Sequence, residues 1–240
     1  MRARLVCLPL FLSMLASLSA QKPATTPAKK PDPVEVKRAL AELQTEWAKW
    51  PPPLRTAALA RYVALGSPEV AVALAHKLTD PSASQRQDLA AALGQMKEPK
   101  TIPQIAAAME REEAAPKPDL DAFAALCKAL GDIGDPAAIP ALVHHLGSGD
   151  RQKPEWLTKA EARLEALGSI RHVQAIDELI DQLGRTGATS TGRGNAVNRR
   201  VGQSLQRTIE ASLRRLTGAS NDGEKAWRDW WRSHRATFKF

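Results

Sequence analysis

The chain has 240 residues, a formal net charge of +8, 43% hydrophobic residues and two cysteines, Cys7 and Cys127. That length allows one or two compact domains, or a single elongated array. Cys7 falls in an apolar leader, so the rest of the chain holds Cys127 alone; a disulfide-stapled domain is excluded, and stability has to come from packing.

Arg2 and Arg4 precede an almost wholly apolar run, Leu5 to Leu18, and the small residues Ser17, Ser19 and Ala20 close it. This is the three-part layout of a secretory signal. It predicts a signal peptide over residues 1–20, cleavage near Ala20, and a periplasmic or secreted protein. The run is shorter than the ~20 residues a membrane-spanning helix needs, and Cys7 lies too early in it for lipidation. Residues 21–33, QKPATTPAKKPDP, hold nothing large to bury and read as a stiff, solvated linker.

From residue 34 to 240 the pattern is all-α. Period-two alternation of aromatic and β-branched residues is missing, while alanine and leucine recur at spacings of three and four. A first helix starts near Val34, carries Trp47 and Trp50, and ends at Pro51-Pro52-Pro53. A degenerate unit follows: Leu65-Gly66-Ser67-Pro68, then Val70, Val72, Leu74 and Leu78. The clearest unit is LGDIGDPAAIPAL, Leu130 to Leu142, continuing to Leu146. A step of 37 residues back gives Leu93-Gly94, Pro99, Ile102-Pro103, Ile105 and Met109. The same step forward gives Leu167-Gly168, Val173, Ile176, Leu179-Ile180 and Leu183. Gly131 is expected to stop one helix, Asp135 to cap the next, and Pro136 to open it. Ile139, Leu142, Val143 and Leu146 then form one apolar stripe, which a single hairpin cannot bury and a stacked neighbour can.

The unit from Leu130 to Leu146 resembles a HEAT repeat, of the short bacterial type shared with phycobilisome-lyase-like proteins. Leu213-Arg214-Arg215-Leu216-Thr217-Gly218, followed by Trp227-Arg228-Asp229-Trp230-Trp231, resembles the closing hairpin of secreted bacterial HEAT-repeat proteins. The resemblance implies an α-solenoid of about five stacked helical hairpins. The tetratricopeptide and ankyrin signatures are absent.

The last quarter is distinctive in charge. Residues 184–240 hold 12 Lys/Arg against Glu210, Asp222, Glu224 and Asp229. Such an excess can steer an anionic partner, which makes Arg193, Arg199, Arg200, Arg214 and Arg215 candidate anion-binding residues. Gly184 to about Asn198, with four glycines, reads as one long connection. Trp227, Trp230 and Trp231 share a helix face and suit a terminal cap, since an array needs a covered end.

No residue stands out as catalytic. HEAT-like di-iron hydroxylases carry His-Glu pairs, whereas His76, His144, His145, His172 and His234 are never followed by glutamate. Gly187 to Gly194 mimics a phosphate loop but offers arginine then glycine where lysine and Ser/Thr are required. Cys127 sits in an apolar stretch and reads as a small hydrophobe. A bilin-lyase role has no compact motif to test, and the export signal argues against it.

The reading is therefore a non-catalytic protein-binding scaffold of the envelope or exterior, with no cofactor, no metal and no nucleic-acid partner. Solenoids bind along the second helix of each hairpin. The off-stripe row there is Gln104 and Ala108, Ala141 and His145, Glu178 and Gln182. The alternative is an anionic envelope surface, lipid or acidic glycan, held by the basic C-terminal end.

Overall fold

The computed structural model describes residues 31–146, 153–190 and 196–240. The expected signal peptide, most of the linker, and Arg193 lie outside the described residues. Residues 31–240 form one compact unit.

Eleven α-helices and no strand occur among the described residues. Helix α1 (Pro33–Thr45) and a short 3-10 turn, Trp47–Lys49, lead in. Five hairpins follow: α2 (Pro52–Leu65) with α3 (Pro68–Ala75), α4 (Ala83–Met96) with α5 (Ile102–Ala114), α6 (Leu120–Ile133) with α7 (Ile139–Val143), α8 (Pro154–Leu167) with α9 (Val173–Ser190), and α10 (Ala196–Thr217) with α11 (Glu224–His234). The all-α solenoid read from the 37-residue step is thus the observed architecture.

The first helices stack in order, α2 on α4, α4 on α6, α6 on α8, α8 on α10. Each second helix from α3 to α9 also lies against the first helix that follows it. One apolar core therefore runs unbroken from Leu43 to Trp231, as expected where no hairpin can bury its stripe alone.

The turns explain themselves from sequence. At the central one, Gly134 takes φ 73° and its N–H reaches Leu130 O, while the Asp135 carboxylate accepts from Ala137 N at 2.8 Å and Pro136 opens a 3-10 turn into α7. A side chain at φ 73° would crowd its own carbonyl, so glycine belongs there.

Gly131 does not stop α6, contrary to the sequence expectation; the helix runs through it to Ile133. A Cβ on Gly131 would stand 2.9 Å from Ala166 O and 3.0 Å from Ala166 Cα, both in α8. Gly94 faces Ala129 Cα of α6 at 3.1 Å, and Gly168 faces the Ser212 side chain of α10 at 2.5 Å. The repeated Leu-Gly is therefore a contact point between consecutive first helices.

Gly184 misleads in a similar way. It lies within α9, with Arg228 Nη2 and Glu224 Oε1 of α11 at 2.7 and 2.8 Å from its notional Cβ. The expected long connection from Gly184 to Asn198 is instead helix on both sides, with residues 191–195 outside the description.

Candidate binding surfaces

The second helices bury a wider arc than their apolar stripe suggests. In α5, Ile102, Ile105, Ala108, Met109 and Glu112 are all buried, because the helix meets α6 and the 3-10 turns on either side of it. Ala108, 2% exposed, therefore belongs to the core and leaves the expected surface row. Gln182, 6% exposed, leaves it for the same reason, packed in α9 between α10 and α11.

His145 leaves the row because α7 stops at Val143. His144 turns to φ −55° and ψ 133°, and His145 takes φ 67°. The turned carbonyl of His144 accepts from Arg163 Nη1 of α8. Arg163 is 1% exposed, pairs with Glu113 at 2.7 Å, and lies 5.2 Å from the Phe123 ring centroid. One arginine thus ties the ends of α5 and α7 to α6 and α8. Sequence periodicity carries no trace of it.

Gln104, Ala141 and Glu178 remain, half-buried at equivalent positions of three second helices. Gln104 lines a groove of about 570 Å³ between α3 and α5, together with Ala75, Ala107 and Ala114 and with His76, Glu110 and Arg111. The Gln104 Oε1 is buried and unpartnered, an acceptor that the protein itself leaves unsatisfied. Ala107, one position from the expected Ala108, is the exposed alanine of this face.

Among the candidate anion-binding residues, Arg199, Arg200 and Arg215 are exposed. Arg214 is already committed: it bonds Glu210 at 3.3 Å, Asp222 at 2.6 Å and Asn221 O at 3.3 Å. The charge excess of the last quarter is also partly answered from outside it. Arg235 binds Asp177 at 2.8 Å, and Asp181 receives Arg185 at 2.8 Å and Arg228 at 3.8 Å. Those aspartates precede residue 184, so a count that begins there misses them. Arg200 and Arg207, by contrast, are exposed on α10 and make no ion pair among the described residues.

The C-terminal tryptophans act as the expected cap. Trp227 and Trp231 are buried against α9, and Trp231 Nε1 donates to Asp177 Oδ1 at 2.6 Å. The hydrogen bond from Arg235, helped by that of Trp231, outweighs partial burial and holds the Asp177 carboxyl below its ordinary pKa. At the other end Trp47 is buried beside Trp50, ring centroids 6.4 Å apart.

Among the described residues, no group of three or more His, Cys, Asp or Glu side chains is placed to hold a metal ion, and no helix is long and apolar enough to cross a membrane. Burial pushes the Cys127 thiol up to about 12, and its Sγ lies 3.4 Å from Met109 Sδ.

A shared core across five stacked hairpins defines an α-solenoid repeat protein. Residues 73–158, from α3 into α8, match the family of HEAT repeats. A solved structure of human deoxyhypusine hydroxylase in complex with glycerol is similar at 18% identity and a TM-score of 0.47, covering 78% of this chain and 67% of that one. No curated protein matches the sequence.

Proposed function

We propose that this HEAT-repeat chain is a non-catalytic scaffold, exported to the periplasm or the exterior, that binds another protein on the face of its second helices. The resemblance of its Trp-rich closing hairpin to that of secreted bacterial HEAT-repeat proteins supports the exported part of the reading. One observation carries the reading: the groove between α3 and α5 is open, and its lining mixes Ala75, Ala107 and Ala114 with the polar side chains of His76, Gln104, Glu110 and Arg111. Open grooves that mix apolar and polar side chains suit a peptide or a protein edge better than a reaction centre. Cross-linking in the native envelope, followed by pull-down, tests it. Ala107→Glu and Gln104→Lys together place two charges in the groove and are expected to weaken the captured partner at least tenfold. A partner set unchanged by both substitutions overturns the reading. Export is tested separately, by whether residues 1–20 carry a reporter out of the cytoplasm.

A second reading, an anionic partner at the basic end, is favoured by Arg200 and Arg207. They stand seven residues apart on one exposed stripe of α10, about 10 Å along the axis, with no carboxylate partner among the described residues. Sedimentation with an acidic polysaccharide at rising salt checks it; binding that ignores salt, or survives Arg200→Glu with Arg207→Glu, rejects it.

A further inference from the structure

The edge of the solenoid where α8 turns into α9 gathers residues that lie far apart in sequence. Arg215, at the end of α10, places Nη1 3.5 Å from Ser169 Oγ in that turn. Two residues on, the Arg171 guanidinium lies 5.9 Å from the ring centroid of Phe240. Phe240 meets Phe238 edge-on at 5.1 Å, and Phe238 in turn meets Trp231 at 5.4 Å and Trp230 at 6.1 Å. Lys239 stands exposed between the two phenylalanines. Among the described residues Arg171, Arg215 and Lys239 form no ion pair, although Arg215 lines a groove with Asp132 and Glu165; the nearby Asp177 is taken by Arg235 and Trp231. Phe240 is one of three exposed large hydrophobic residues among those described, at 41%.

We propose that this edge, with Arg171 beside the Phe240 ring and with Arg215 and Lys239 as further exposed cations, docks the protein on the surface of an anionic lipid bilayer. Aromatic rings settle at headgroup depth, and unpaired cations beside them meet lipid phosphates and carboxylates. A sugar polymer fits less well, because the flat faces it would stack on are used. Trp230 stacks with His234 at 4.5 Å and 16° and with Trp231 at 6.0 Å and 22°. The contact is peripheral, since no described helix can cross the bilayer. The inference shares with the second reading an anionic partner, but it rests on different residues.

Residues 31–240 are compact by themselves, so protein from Gln21 onward is the form to test. It is sedimented with vesicles of phosphatidylcholine alone and of phosphatidylcholine mixed with the anionic phosphatidylglycerol. Binding is expected to the anionic vesicles only, to weaken with salt, and to drop about fivefold for each cation reversed among Arg171→Glu, Arg215→Glu and Lys239→Glu. Phe240→Ser is expected to weaken it severalfold at unchanged salt slope, which a purely structural role would not produce. Arg200→Glu with Arg207→Glu leaves vesicle binding in place and reports on the polysaccharide reading alone. The proposal is overturned by no preference for anionic vesicles. It is equally overturned by binding that persists in the triple reversal, or by dextran sulfate binding whose loss tracks Arg171 and Lys239 while vesicles stay unbound. Helix content and unfolding midpoint of each variant separate lost binding from lost fold.

Discussion

The carbonyl oxygen of Ala166 in α8 lies 2.9 Å from the point where a Cβ on Gly131 of α6 would stand. Backbone cannot yield there as a side-chain tip could, so the two helices approach as closely as they do because Gly131 carries no side chain.

Gly131→Ala is therefore expected to destabilise the protein, although alanine is the better helix former by about 1 kcal/mol. Overpacking against a fixed backbone costs about 1–3 kcal/mol and outweighs the gain. Gly94→Ala, at 3.1 Å from Ala129 Cα, is expected to cost less. Urea unfolding midpoints should fall in the order wild type, Gly94→Ala, Gly131→Ala; a stabilised Gly131→Ala protein would refute the contact role.

Arg163 gives the largest expected single loss. Arg163→Met strands Glu113 and the turned His144 carbonyl; breaking a fully buried pair from one side costs about 3–5 kcal/mol, and water reaching the Glu113 side chain, 25% exposed, places the loss at the low end of that range. The double variant Arg163→Met with Glu113→Met should recover part of that, because no charge is left without a partner. A double-mutant cycle by chemical denaturation measures the coupling, and strict additivity would show that the pair is energetically idle.

Asp177 makes the C-terminal cap acid-sensitive. Its folded pKa is depressed, so its contribution is present above the unfolded value of about 3.9 and lost as pH falls through the folded value. Tryptophan fluorescence should show a step below about pH 4 in the wild type, reporting Trp231 leaving its acceptor. Asp177→Asn should lack that step and resemble the acid form at pH 7. A step that persists in the variant would place the transition elsewhere.

Cys127 is expected to be chemically silent in the folded protein. Burial holds its thiol up to about 12, and the thiolate is the reactive form. At pH 8 a thiol reagent should modify it only at the rate of global opening, rising with urea. Rapid labelling in native buffer would mean that the core around Met109 opens locally.

The sequence by itself determined the hairpins, their 37-residue register, the Asp135-Pro136 cap and the tryptophan-closed end. Each of these is local chemistry: a side chain that satisfies the first free N–H, a proline that fits the first turn, a stripe at helical spacing. Tertiary structure alone decided what the glycines and the surface positions are for. Gly131 and Gly184 look like breakers in the chain and are close-approach points in the fold. Ala108 and Gln182 look like surface and are core, because each second helix is enclosed by more than one neighbour and buries a broader arc than its own stripe records. Arg214 and the aspartates at 177 and 181 show the same limit for charge. Periodicity fixes the angle of a residue on its own helix, but which helix fills that direction, and with what charge, depends on how the hairpins stack.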